Sequence, residues 1–357
     1  MKTTRTEIDR FKLAYCAREN RAWPQRVLLH DHLDGSKTLM PVLEQLHYLS
    51  GKLYPFTGFI AEQHEQVKAL FNNAQINIVE KFANTTGVMQ SEETLALAAE
   101  SYVRARNLQG YYYCEATIAP QYHTFGGLNE RQVIAALIEG IRRGEELCPY
   151  TEVNLIFAIG REVDPDEAVR LVEQAALCNR HYVVGIGLAC DEAAHPPEKH
   201  IKMFRRAEEL GFKTTCHAGE WVSTKPDYER DKKALLENVK TALFKLRVDR
   251  LGHAIPLTLD KNLIDYVVKE GIGIEGCPGS NLASKLIPNT SCLGIKRLLA
   301  CGVRYSLNPD DDLFLPTLDE TFRLCDDEYH FDQSEKEKLI KNAWATRFGK
   351  RQQHYEG

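Results

Sequence analysis

Two histidines separated by one residue, His30-Asp31-His32, follow a short apolar run and lead into Leu33-Asp34-Gly35. On extended backbone, residues i and i+2 project to the same side, so both imidazoles can face one ion. Alone, such a pair is ordinarily just two polar residues on one strand face. Three further segments change its weight: Thr215-Cys216-His217-Ala218-Gly219-Glu220, Arg250-Leu251-Gly252-His253-Ala254, and Ser306-Leu307-Asn308-Pro309-Asp310-Asp311-Asp312. Singly, a histidine after a strand is usually hydrogen-bonded and structural, and an aspartate run is usually a solvated turn or helix cap. Together they supply three histidines and a carboxylate, a mixed N/O shell that suits zinc and leaves room for a water. The candidate ligands are His30, His32, His217 and Asp310. Zinc would bring the pKa of a bound water from about 15.7 to about 7. His253 could orient that water and stabilise the developing charge. Hydrolysis at a ring carbon also needs a proton donor, the role open to Glu220 if its pKa is raised. The plain alternative for Glu220 is a first-turn carboxylate facing solvent.

The segments must be brought together by the elements that carry them. Short β-branched and aromatic runs alternate with amphipathic stretches, the pattern of repeated βα units around a parallel sheet. Strands are expected at Arg26–Leu29, Gly110–Thr117, Thr151–Ile159, Tyr182–Leu188, Lys213–Cys216, Arg250–Gly252, Gly273–Glu275 and Arg304–Leu307. Helices are expected at Asn129–Arg143, Asp164–Asn179, Glu198–Leu210, Asp231–Lys245 and Leu259–Glu270. Eight strands separated by helices specify a single α/β (β/α)8 TIM barrel over residues 1–357, and barrel enzymes assemble their chemistry at the C-terminal strand ends. One connection, Lys37–Asn107, is too long for a single helix and must hold several extra ones. Its middle, Leu53–Phe82, is either a lid over the site or a packing subdomain.

Composition narrows the partners. An apolar fraction of 43%, a charged fraction of 27% and a net charge of -5 describe an ordinary globular protein with no general pull toward polyanions. A small molecule is the expected partner, rather than nucleic acid or membrane. Met1–Gln25 lacks the apolar core of a signal peptide, which points to the cytoplasm. Ten cysteines scattered without a CxxC pair are expected to be reduced, leaving histidine and carboxylate to hold any metal. An H-x-E followed by P-C-x-x-C, the signature of zinc enzymes that act on bases of polynucleotides, is absent here.

Over nearly its whole length the chain resembles the adenosine deaminases, within the amidohydrolase group of metal-dependent barrels. The resemblance rests on His30-Asp31-His32-Leu33-Asp34-Gly35, His217-Ala218-Gly219-Glu220, Gly252-His253, Cys277-Pro278-Gly279-Ser280-Asn281 and Ser306-Leu307-Asn308-Pro309-Asp310-Asp311, in family order. It implies one zinc per chain on His30, His32, His217 and Asp310, and a catalytic group of Glu220, His253 and Asp310. It also implies Asp311 at the imidazole-ring side of a purine and Asp34 at the ribose, where the free-adenine branch tends to carry glutamate. The implied reaction is hydrolysis of adenosine or 2′-deoxyadenosine to the corresponding inosine and ammonia. Alternatives are adenine, a modified adenosine or a pterin-like amine, and, from another class, a barrel that binds purine nucleosides without turning them over. The chain departs from the family pattern at Gly187-Leu188-Ala189-Cys190, usually Asp-Leu-Ala-Gly, so that Gly187 and Cys190 reshape the wall nearest the purine. Thr117 stands for a usual arginine and Asp312 for a usual proline.

Overall fold

In the computed structural model, residues 8–17, 27–72 and 81–349 are described. Eight parallel strands run in chain order around one sheet: β1 Val27–His32, β2 Tyr113–Ile118, β3 Glu152–Gly160, β4 Val183–Ala189, β5 Lys213–Ala218, β6 Arg250–His253, β7 Gly273–Gly276 and β8 Arg304–Leu307. The eight expected strands are all present, forming a (β/α)8 barrel, and seven of them extend one to three residues further at the C-terminal end than expected. Those added residues include His30, His32, His217 and His253, which lack the β-branched signature that marks a strand but lie on extended or closely following backbone. Arg26 and Met1–Gln25, apart from residues 8–17, fall outside the described residues.

Closure happens at the residues of interest. A parallel bridge joins Asp31 to Asp310, with the His32 N–H donating to the Asp310 carbonyl at 3.2 Å and the Asp310 N–H to the His30 carbonyl at 3.3 Å. The Asn308 side-chain carbonyl accepts from the Leu29 and His30 N–H groups at 3.1 and 3.2 Å, completing the seam between β8 and β1.

The outer helices follow their sequence signals with local adjustments. Asp164 caps the helix Pro165–Ala176, with proline at its first position, where a missing N–H costs nothing. The expected Glu198–Leu210 helix begins as a 3-10 turn, Pro197–His200, before Ile201–Glu209. Asp227 starts Tyr228–Thr241 earlier than expected, and the tail of the expected segment, Ala242–Leu246, widens into a π-helical turn.

The long β1–β2 connection holds the helices Leu43–Leu49, Ile60–Phe71 and Glu92–Leu108. Its described part is packed down: Phe71 stacks on Phe314 with ring centres 4.4 Å apart, and His64 Nε2 lies 2.9 Å from the Leu313 carbonyl. Residues 73–80 of the Leu53–Phe82 segment lie outside the described residues. The helix Glu92–Leu108 also delivers Arg106, fully buried, to Asp31 at 2.7 Å and to Asp312 at 2.8 Å. Asp312 in turn accepts from the Lys37 N–H at 2.7 Å. The aspartate that replaces a proline is thus the partner of a buried arginine.

Inside the barrel, below the mouth, Arg250 pairs with Glu115 at 2.5 Å and with Glu275, and its guanidinium lies over the Phe348 ring. Burial would raise the Glu275 carboxyl, but the Arg250 charge and the hydrogen bond from His30 outweigh it and hold the group at about 2.

Arg106→Met removes the cation shared by two buried aspartates. A stability loss of about 3–5 kcal/mol is expected from equilibrium denaturation, and a loss below 1 kcal/mol would refute the clamp. Because the folded-state pKa of Glu275 lies below its ordinary 4.5, its stabilisation is present above 4.5 and lost as pH falls through about 2. Glu275→Gln should therefore flatten the pH dependence of unfolding free energy in that window, as measured by denaturation at a series of pH values.

Candidate active site

Ligand-type atoms of His30, His32, His217 and Asp310 lie within 4.8 Å of one another at the barrel mouth. Asp310 Oδ1 is 3.5 Å from His30 Nε2 and 3.4 Å from His32 Nε2, and the Nε2 atoms of His32 and His217 are 3.2 Å apart. Two donors each 2.0–2.1 Å from a tetrahedral centre stand roughly 3.3 Å apart, so these spacings fit a zinc-sized ion. His30 and His32 lie on β1 and His217 on β5, while Asp310 follows β8 on strained backbone, at φ +72°. Such left-handed conformations at non-glycine residues cost about 1–3 kcal/mol and concentrate where a side chain must be aimed.

Partners behind the donors set their direction. His30 Nδ1 donates to Glu275 Oε2 at 2.9 Å and His217 Nδ1 to the Leu188 carbonyl at 3.0 Å, leaving both Nε2 atoms facing inward. The Ser280 hydroxyl donates to Asp310 Oδ2 at 2.7 Å. Gly252 is required by contact, since a Cβ there would come within 2.8 Å of His30 Cε1. Burial lowers the pKa of His30, but Asp310 and Glu275 more than reverse it, raising it to about 10. Burial, followed by the charges of His30 and His253, holds His217 well below its ordinary value. Burial likewise lowers His32. The pocket therefore sets two histidines pushed toward their neutral form, His32 and His217, beside carboxylates that favour a positive charge between them.

His253 and Glu220 flank this cluster. His253, at φ +61°, is followed by Ala254 at φ +47°, a sharp exit from β6 that turns the imidazole inward. Its Nδ1 donates to Asn281 Oδ1 at 2.8 Å, and Nε2 stands 3.6 Å from Glu220 Oε2 and 4.0 Å from Asp310 Oδ2. Burial raises the Glu220 carboxyl to about 7, with Asp310 and Glu192 pushing the same way and His253 opposing. Near neutral pH a protonated fraction is available, so the solvent-facing alternative for Glu220 is not what this geometry gives.

The remaining expected residues line the mouth. Asp34 Oδ2 accepts from the Thr86 hydroxyl at 3.2 Å and lies 3.4 Å from His123 Nε2. Burial would raise this carboxyl, but His123 holds it low. Asp311 is pushed well up by burial and by Asp310, Asp34 and Asp31, and its Oδ1 has no hydrogen-bond partner among the described residues. It packs so close to Gly35 that a Cβ there would meet it at 1.7 Å. Gly187 lies on β4 against Ile156. Cys190, just beyond, takes φ +78° and points its sulfur 3.7 Å from the Tyr122 hydroxyl. Thr117 is buried beside His32 in the sheet register.

Sequence reasoning missed Glu275, His123, Tyr122 and Glu192, and it noted Ser280 and Asn281 only as part of a motif. A charge in the apolar strand β7 was a signal for Glu275. The others reach the site through turns whose direction no local pattern reveals. A 540 Å³ surface cleft lined by Arg131, Arg142 and Leu177 lies on the barrel flank and brings none of these residues together.

The family model described as adenosine deaminase matches residues 25–356. An adenine deaminase of Rhodospirillum rubrum is 31% identical over 80% of this chain and 80% of its own. An adenosine deaminase of Clostridium acetobutylicum is 27% identical over 90% and 92%, respectively. Among solved structures, an adenine deaminase from Arthrobacter aurescens superposes with a TM-score of 0.76 at 24% identity, covering 92% of this chain and 95% of that one. An amidohydrolase from Burkholderia ambifaria with bound zinc gives 0.75 at 23%, covering 98% and 91%. With that family model spanning nearly its full length, the chain belongs to the adenosine deaminase family of hydrolases acting on C–N bonds.

Proposed function

We propose that the chain hydrolytically deaminates a purine nucleoside, adenosine or 2′-deoxyadenosine, using one zinc ion per chain in a single barrel domain. The observation that carries this reading is the meeting of three histidines and Asp310 beside the His253–Glu220 pair. His30, His32, His217 and Asp310 would hold the ion. When bound, zinc supplies hydroxide near neutrality by lowering the pKa of water toward about 7.

The protein groups do the rest. His253, its Nδ1 tied to Asn281, presents Nε2 to the attacking water and stabilises its developing charge. Glu220, held partly protonated by burial, gives its proton to a ring nitrogen as the ring is attacked, which keeps negative charge off the ring. Asp310 stands 4.0 Å from His253 and takes part both as ligand and in handling the proton. Asp311, its carboxyl pushed well up by burial and by the neighbouring Asp310 and Asp34, would present an O–H to a ring nitrogen lone pair on the imidazole side. The backbone at Gly187 and the sulfur of Cys190 form the wall along the purine.

Relatives named for adenine and for adenosine are similarly distant, so the choice between base and nucleoside rests on the mouth. Asp34 is a short carboxylate held by Thr86 and His123, and its reach suits a ribose hydroxyl better than a base edge. The arginines near the strand ends are turned inward: Arg106 onto Asp31 and Asp312, Arg161 onto the carbonyls of His195 and His217. With Asp34, Asp311 and Glu220 at the opening, an uncharged nucleoside suits it better than a nucleotide. A second reading, a 6-aminopurine nucleoside with an altered base, is favoured by Cys190 and Tyr122, whose contact reshapes the wall.

Glu220→Gln should lower kcat by about 10²–10⁴-fold while zinc stays at one per chain, measured by ultraviolet absorbance with parallel metal analysis. Retained full activity would remove Glu220 from the mechanism. His217→Ala should reduce zinc content, and unchanged stoichiometric zinc would overturn the ligand set. Across a panel of adenine, adenosine, 2′-deoxyadenosine and adenosine 5′-monophosphate, the nucleosides should show the highest kcat/KM.

A further inference from the structure

Immediately after β5 the chain turns sharply at Gly219, which takes φ +71° and is so tightly enclosed that a Cβ would meet Val239 Cγ2 at 2.5 Å. The turn aims consecutive N–H groups to one side, the kind of concavity that binds anions. Here the anion is internal. Glu192, 1% exposed, accepts from the Gly219 N–H at 2.8 Å, the Glu220 N–H at 2.9 Å and the Trp221 N–H at 3.2 Å. Asn238, on the helix Tyr228–Thr241, adds its side-chain N–H at 2.8 Å. The hydrogen-bond partners of this buried carboxylate among the described residues are thus neutral N–H groups. A buried charge satisfied this way is costly to displace, so it fixes whatever backbone supplies the donors. Glu192 itself sits two residues beyond Cys190, on the loop leaving β4.

We propose that Glu192 is a positioning residue for the deamination: it clamps the backbone of Gly219-Glu220-Trp221 so that the Glu220 carboxyl faces His253 and the ring nitrogen. The proposal rests on the functional reading above, in which Glu220 is the proton donor. Glu192 touches neither substrate nor metal in this scheme. It acts through Glu220, and because it leaves the same loop as Cys190, it ties the substrate wall on β4 to the proton donor on β5. The negative charge of Glu192 also works in the direction that favours the protonated form of Glu220.

The test is Glu192→Ala, read by steady-state kinetics, zinc content and hydrogen exchange of the peptide covering residues 216–224. Misplacing a catalytic group by about 1 Å can cost roughly 10²-fold. The expected result is a fall of about that size in kcat, KM within about 3-fold of wild type, zinc unchanged, and faster exchange at the 219–221 amides. A kcat within about 3-fold of wild type, or unchanged amide exchange, would overturn the proposal, as would a loss carried entirely by KM or by zinc. Should Glu192→Ala fail to fold, Asn238→Ala removes one donor from the cluster and should give a smaller fall in kcat, about 3–10-fold, with partial loss of amide protection. No change in either measure would count against the clamp. If the wild type deaminates no aminopurine, the functional reading fails, and the exchange measurement still decides whether Glu192 holds the loop.

Discussion

The structure depends on how its barrel closes. The last strand meets the first through one pair of backbone hydrogen bonds between Asp310 and the His30–His32 segment. Of those residues, His30, His32 and Asp310 are also the ones whose side chains meet at the mouth. Closing the sheet and assembling the donor cluster are therefore one event: a register slip of one residue would turn His30 and His32 out of the mouth and break the seam together. Asn308, which accepts two N–H groups of β1, makes that slip expensive by leaving its carbonyl and two amides unpaired.

Charge sets the second constraint. Asp31, Asp34, Asp310, Asp311 and Asp312 crowd the seam, and they are dealt with in four ways. Asp31 and Asp312 share Arg106, Asp34 leans on His123, Asp310 faces the histidines, and the Asp311 carboxyl is pushed well up by burial and its acidic neighbours. Neighbouring carboxylates a few ångströms apart cannot all ionise without compensation, and the differences among their surroundings assign them different tasks. The same logic separates His30, drawn toward protonation by two carboxylates, from His217, buried beside other histidines.

Much of this was legible from residue order. Alternating apolar runs located all eight strands, because a parallel barrel buries each strand on both faces and leaves continuous hydrophobic segments. The ends of β1, β5 and β6 were read short because His30, His32, His217 and His253 break the apolar run while the backbone continues. Motifs at four strand ends gave the donor cluster, since topology alone forces them together. What lay hidden was the supporting layer. Glu275 needed the register of β7 against β6 and β8, and Asn281 needed the direction of the turn after Cys277. Glu192 needed a contact to the β5 exit 27 to 29 residues away in sequence. Asp312 looked like a lone departure until Arg106, 206 residues earlier, supplied its partner.

That last pairing bears on how members of the family could exchange parts. The β1–β2 excursion looks like a detachable module, since its helices lie outside the repeating βα unit. Yet its final helix carries the arginine that neutralises an aspartate at the opposite end of the chain. A chimera that imports this excursion from a relative without an arginine at the position of Arg106 would bury that aspartate without a cation. Recombination between such relatives must move both segments or neither, so two stretches at opposite ends of the chain form a single unit of inheritance.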